Sequence, residues 1–188
     1  VTSSTQRFIA FGNLEKNIEK KKQTFSVSLV LHILTAFVFV LLLEIVVIFL
    51  FDGFLNLPKN SIVVAEKIFH FMILGNFFVI ITNPYSAVIL AHENMLIVAI
   101  IGIIESLLKL AIALLIIYVD YDKLLFYGFS MPLISFVLFL ITALYSHFKY
   151  KETTLMLIKY FDLEEMKSIT RFSGWSFLGI GSTMITNQ

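Results

Sequence analysis

Glu105 and Lys109 stand four residues apart inside Met95 to Val119, a run that is otherwise almost wholly apolar. At ~1.5 Å per helical residue such a run reaches about 37 Å, against a bilayer hydrocarbon core of ~30 Å, so both charges fall near mid-depth. Each would cost about 2.5–3.5 kcal/mol if it faced lipid. They are therefore expected to face protein or water. Glutamate followed four residues later by lysine is the favourable order for a helical ion pair, which can be purely structural. Beside a wet lumen the same pair has chemistry: Lys109 offers a cation to a phosphate, and Glu105 keeps it charged or exchanges a proton with it.

Other polar residues lie in similar runs. Asn76 and Asn83 sit two helical turns apart, and Asn83 immediately precedes Pro84. They suit interhelical hydrogen bonds or contacts to sugar or water. Pro84 removes one backbone hydrogen bond and is expected to kink its helix, giving a local flex point. Glu44 lies about two turns from the end of its run, where it can snorkel to the interface or serve ion coupling. His32 and His70 are expected to be hydrogen-bonded packing residues, since two isolated histidines make no metal site. No phosphate-cradling glycine loop, His-Glu-x-x-His or nucleophile elbow occurs, which disfavours an enzyme. The chain has no cysteine, so thiolate chemistry and disulfides are excluded.

The elements that must position these groups follow from hydropathy. The 188 residues are 59% hydrophobic and 14% charged, with the apolar residues in long blocks, the pattern of an integral membrane protein. The expected fold class is all-α, a polytopic membrane helix bundle. Four spans are read at 26–51, 61–91, 95–119 and 124–148. Asp52-Gly53 with Asn56-Leu57-Pro58 makes a turn after the first, and the later joints are short, so consecutive helices are antiparallel neighbours. Of the 14 basic residues, ten lie before the first span or after the fourth, three lie in the opposite loops, and Lys109 lies within a span. The positive-inside rule makes the Lys-rich side cytoplasmic. Residues 149–173 are expected to form a cytoplasmic amphipathic segment, with Asp162 and Glu165 as a capping box and Trp175 as an interfacial anchor. Residues 174–188 open a further apolar helix that stops short of the ~20 residues a span needs, so the sequence reads as an internal fragment.

Several local patterns resemble Wzx-type polysaccharide flippases of the multidrug/oligosaccharidyl-lipid/polysaccharide exporter superfamily, the MATE-like transporters, as found in Bacteroides-like bacteria. They are Ser4-Thr5-Gln6-Arg7-Phe8 ahead of Gly12-Asn13, Phe25-Ser26-x-Ser28, and Asn56-Leu57-Pro58. Further along come Pro84-Tyr85, Ile89-x-Ala91-His92-Glu93-x-Met95, Glu105-x-x-Leu108-Lys109-Leu110 and Phe172-Ser173-Gly174-Trp175. Asn94 departs from the pattern, in which a basic residue is more usual between Glu93 and Met95.

The resemblance implies two six-helix lobes around a central cavity that work by alternating access. This chain would supply part of the N-terminal lobe: the end of helix two and a basic loop (1–25), helices three to six, and the start of helix seven. The function implied is flipping of a polyprenyl-pyrophosphate-linked oligosaccharide, an O-antigen or capsule repeat unit, from the inner to the outer leaflet of the bacterial cytoplasmic membrane. Lys109 would attract the phosphates, with Glu105, Asn76 and Asn83 beside it in the lumen, and Gln6, Arg7, His92 and Glu93 would form a cytoplasmic-side motif. No cofactor and no nucleic acid are expected; the coupling ion is a proton or sodium, and the partners are the lipid-linked sugar, the bilayer and other polysaccharide-assembly proteins. The alternatives are a cation-coupled multidrug exporter of the same superfamily and a membrane-embedded glycan polymerase or ligase.

Overall fold

The computed structural model describes residues 2–14, 17–51, 59–153 and 156–186, with backbone alone at 14, 59–61, 158 and 177–186. The turn expected at Asp52-Gly53 and Asn56-Leu57-Pro58 lies outside the described residues. Every regular element is helical: α1 (Thr2–Leu14), α2 (Ile18–Phe49), α3 (Lys59–Ala91), α4 (Met95–Leu115) with a 3₁₀ turn at Ile116–Tyr118, α5 (Lys123–Lys149), α6 (Leu157–Tyr160) and α7 (Leu163–Thr186). Four of them, α2 to α5, are long and apolar enough to cross a membrane. Among the described residues the protein is therefore all-helical, with the four long apolar helices of a membrane protein.

Helix starts follow local chemistry. Asn17 Oδ1 accepts from the Lys20 amide at 3.1 Å, so α2 begins at Ile18 and carries Lys20, Lys21 and Lys22 in its first turns. Asp122 Oδ1 accepts from the Leu124 and Leu125 amides and opens α5, and Asp162 Oδ1 does the same for Glu164 and Glu165 at the start of α7. Each aspartate satisfies amides that have no partner inside the helix and places a negative charge at its positive end. The amphipathic segment and the apolar helix expected after it form one continuous α7, since no breaker separates them at Gly174. Helices α3 and α5 likewise run unbroken through Pro84 and Pro132.

The chain divides into two compact units. The first comprises 1–32, 83–95 and 144–188, and ten of the 14 basic residues of the sequence fall in these segments. Its core joins Ile9, Phe25, Val27, Val88, Ile89 and Ile169, with Phe25 edge-on to Tyr85 at 5.3 Å. Small hydroxyl residues let its helices approach closely. Thr5 pairs with Ser28 at 2.6 Å and Ser4 with Ser173 at 2.8 Å.

The second unit comprises 33–82 and 96–143, and its packing is centred on α3. Phe77 meets Phe37 of α2 at 5.6 Å, while Phe78 meets Phe136 and Phe139 of α5 at 5.0 and 6.2 Å. Edge-to-face and tilted rings of this kind add about 0.5–1.5 kcal/mol per pair beyond burial. Gly128 favours the close approach of α3 to α5, since a Cβ there would lie 2.9 Å from the Ile68 side chain, whereas one at Gly75 would meet the Pro132 Cα at an ordinary 3.4 Å. The small residues of α5 thus serve helix packing at Gly128, while Ser135 borders a cleft.

Candidate functional site

Three polar constellations arise from these elements. The first is the pair read from spacing. Lys109 Nζ donates to Glu105 Oε1 at 2.5 Å, and the two side chains are 52% and 41% exposed. None of the residues of α4 is buried. The pair therefore satisfies itself along one helix face, where Ser106 donates back to the Gly102 carbonyl at 2.9 Å and a Cβ at Gly102 would meet nothing within 4 Å. That face is open, and Lys109 keeps two of its three donors for another partner. Asn76, expected beside this pair, instead donates to the Met72 carbonyl of its own helix at 2.9 Å. It lines a cleft of about 280 Å³ between α3 and α5, floored by Gly75, Gly128, Pro132 and Ser135. Asn83, half-buried, belongs to the first unit, next to the buried Pro84.

The second constellation was not anticipated. Glu44 Oε1 lies 3.1 Å from His70 Nδ1, joining α2 to α3 inside two spanning helices. Around it the wall is hydrocarbon: Phe37, Val40, Ile73, Leu74 and Phe77 complete a cavity of about 220 Å³. His70 is hydrogen-bonded, as expected, and its partner is a carboxylate on a second spanning helix. The two are 26 positions apart, and only the azimuth of each helix decides whether they meet.

The third, in the first unit, centres on His92 and Glu93, while Arg7 packs against Phe172 and Phe11. His92 and Glu93 end α3 in a tight reversal: the Glu93 amide donates to the Leu90 carbonyl at 3.0 Å and the Asn94 amide to Ile89 at 3.2 Å. Glu93 sits at φ 55°, the left-handed cap position usually given to glycine. His92 stacks on Tyr150 with centroids 4.3 Å apart and makes a short hydrogen bond to Glu152. Glu152 is 2% exposed and also lies 3.7 Å from Lys21 Nζ. Lys21 in turn donates to Asn13 Oδ1 at 2.9 Å, and Asn13 Nδ2 donates to the Ala91 carbonyl at 3.1 Å. Asn94 donates to the hydroxyls of Tyr145 and Tyr150 at 2.9 and 3.2 Å, which fastens the reversal to the end of α5. Burial pushes the Tyr150 phenol upward in pKa, and the Asn94 bond opposes the shift.

Glu152 is aimed by the cap of α5. Thr153 Oγ1 donates to the Ser146 and Tyr150 carbonyls at 2.9 and 2.7 Å, while His147 Nδ1 bonds the Thr153 carbonyl at 2.9 Å. The motif residues at the two ends of the chain also meet. The Arg7 guanidinium lies over the Phe172 ring at 4.5 Å and near Phe11 at 5.5 Å, with Phe8 edge-on to Phe172. Gln6 is half-buried beside them in sequence. Glu152 was missed because it follows the fourth span in a stretch that reads as solvated; the signal available was Glu152-Thr153 two residues after Tyr150.

Among the described residues no three His, Asp or Glu side chains converge as metal ligands would. Compared with protein-family models, with curated proteins and with solved structures, the chain matches none.

Proposed function

We propose that this chain works as a flippase for a polyprenyl-pyrophosphate-linked oligosaccharide, carrying it from the inner to the outer leaflet of a bacterial cytoplasmic membrane by alternating access, as part of the N-terminal lobe of a MATE-like exporter. A pyrophosphate-sugar head cannot enter hydrocarbon unaided; it needs a wet, polar path and a cation near mid-depth. The observation that carries the reading is the Glu105–Lys109 pair on the uncovered face of α4. Lys109 lies 14 residues from Met95 and nine from Tyr118, about 21 and 14 Å from the ends of that helix. A self-sufficient pair on a face turned to lipid would still need two charges kept in hydrocarbon. A face turned to a lumen removes that cost.

In this mechanism the incoming phosphate competes with Glu105 for Lys109, so the lysine holds cargo without being left unpaired when the cargo departs. Asn76 contributes an amide to the sugar or its water, and the cytoplasmic motif around His92 and Arg7 holds the inner ends of the helices in register. The chain itself performs no covalent chemistry. The test is Lys109→Ala in a cell whose surface polysaccharide depends on this protein, with membrane abundance measured alongside. Surface polysaccharide should fall at least tenfold, the loss of about 1.4 kcal/mol or more of headgroup attraction. Lys109→Arg should retain most of it. Full polysaccharide with Lys109→Ala refutes the role, and efflux of amphiphilic cations would favour the multidrug reading.

A further inference from the structure

We infer that a cavity between α1 and α7 in the first unit binds the phosphodiester headgroup of an anionic glycerophospholipid of the inner leaflet, a site that stands apart from the flippase reading. The cavity measures about 520 Å³, with Phe8 of α1 on one side and α7 on the other. Its polar lining comes from Glu164, Lys167, Ser168 and Arg171, which with Trp175 recur at helical spacing along one face of α7. The opposite face of that helix is anchored: Ile169 is buried, Ser173 pairs with Ser4 at 2.8 Å, and Glu165 accepts from the Thr24 hydroxyl at 2.7 Å. Phe8, edge-on to Phe172 at 6.2 Å, fixes the aromatic wall. Within this frame one cation is uncommitted. Lys167 Nζ donates to Glu164 Oε1 at 2.8 Å, whereas the Arg171 guanidinium has no hydrogen-bond or ion-pair partner among the described residues. Its five donors form the planar fork that suits two oxygens of a phosphate, and the free Ser168 hydroxyl lies one turn away on the same face.

Charge and depth select the ligand. Two cations and one carboxylate line the cavity, leaving one net positive charge, which balances the single negative charge of a phosphodiester. A pyrophosphate carries more charge than this lining neutralises and would lie close to Glu164. Arg7, whose guanidinium sits 4.5 Å from the Phe172 ring, adds positive potential without lining the cavity. Depth runs along the helix: Lys167, Arg171 and Trp175 follow one another at four-residue steps of about 6 Å each. The polar layer of a bilayer is about 5–8 Å thick on each side of the hydrocarbon core, so a phosphate at Arg171 puts Trp175 near the hydrocarbon boundary. Trp175 is 68% exposed, and after it the sequence turns apolar with Phe177, Leu178 and Ile180. An exposed tryptophan below a free arginine provides an apolar floor for the glycerol esters, which a soluble phosphate does not need. The ten basic residues in the segments of this unit mark its side as cytoplasmic by the positive-inside rule, the leaflet to which anionic lipids are drawn by such residues.

The experiment reads Trp175, the single tryptophan of the chain and part of the cavity wall. The full chain is placed in phosphatidylcholine nanodiscs that contain a minor fraction of phosphatidylglycerol with brominated acyl chains, and quenching of the tryptophan emission is compared with that from equally brominated phosphatidylcholine. Phosphatidylglycerol should quench as though enriched about fivefold at the cavity, the factor that one basic residue contributes near a membrane surface. Arg171→Gln should make the two lipids quench alike. Arg171→Lys, which keeps the charge and loses the fork, should retain part of the preference. Lys151→Gln removes an equal charge outside the cavity and should leave the preference unchanged; Arg171 and Lys151 are both exposed, so neither substitution removes a core contact. Equal quenching by the two lipids in the unsubstituted protein overturns the site. An equal loss in Lys151→Gln and Arg171→Gln overturns it too, because the attraction is then diffuse. Farnesyl pyrophosphate that relieves quenching at lower concentration than unbrominated phosphatidylglycerol would assign the cavity to an isoprenoid carrier and overturn the phospholipid as its ligand. Full surface polysaccharide in Lys109→Ala refutes the role of that lysine in the flippase reading and leaves the headgroup site standing.

Discussion

Glu152 offers the sharpest energetic test of the first unit, because a carboxylate 2% exposed has one short bond to His92 and one ammonium 3.7 Å away. At an effective dielectric of ~20 the Coulomb attraction to Lys21 is about 4–5 kcal/mol, from which the cost of removing both charges from water must be subtracted. Replacing Glu152 by Ala leaves Lys21 with only its 2.9 Å bond to Asn13 and strips His92 of its acceptor. Breaking one member of a fully buried pair costs about 3–5 kcal/mol, but Lys21 and His92 are 13% and 27% exposed and recover some hydration. The expected loss is therefore about 2–3 kcal/mol, measured by reversible unfolding in mixed micelles. Glu152→Gln should cost about half as much, since its amide can still bond His92. Combining Glu152→Leu with Lys21→Met should cost less than Glu152→Ala alone, because no buried charge is then left without its partner. A loss below about 0.5 kcal/mol for Glu152→Ala would refute the claim that this carboxylate ties α2, α3 and α5 together.

Two further outcomes follow from the same region. Glu93 holds a left-handed backbone at φ 55°, so Glu93→Gly should stabilise the protein by about 1 kcal/mol in the same unfolding assay, and Glu93→Val should destabilise it by more. The Tyr150 phenol titrates above its ordinary value of 10.0 because burial disfavours its anion. The folded state then holds its proton to higher pH than the unfolded chain. Its contribution to stability is complete below about pH 10 and declines as pH rises through the folded value, and Tyr150→Phe should remove that part of the alkaline decline in a pH series of unfolding curves.

What the sequence made legible was decided by local physics. Apolar run length gives four spanning helices, since a stretch that cannot hydrogen-bond to water must satisfy its backbone internally. Asp162 announced a helix start because capping is settled within three residues. Glu105 and Lys109 were readable as a pair for the same reason: their separation is fixed by one turn of helix. The Glu44–His70 and His92–Glu152 contacts were not, because each joins residues 26 or 60 positions apart. Hydropathy fixes how deep such a residue sits and leaves open which way round its helix it points. On α2 and α3 the polar stripes read at Ser28, His32 and Thr35 and at Asn76 and Asn83 include neither Glu44 nor His70, so they selected no facing side for this pair. The azimuth is settled instead by packing, by Phe37 against Phe77 in one unit and by Phe25 against Tyr85 in the other. A residue placed only by neighbours of its neighbours becomes visible once those aromatic contacts are known. This also explains why the pair with the clearest sequence signature, on α4, has the fewest structural partners, whereas the polar contacts that join one helix to another left little trace in the chain.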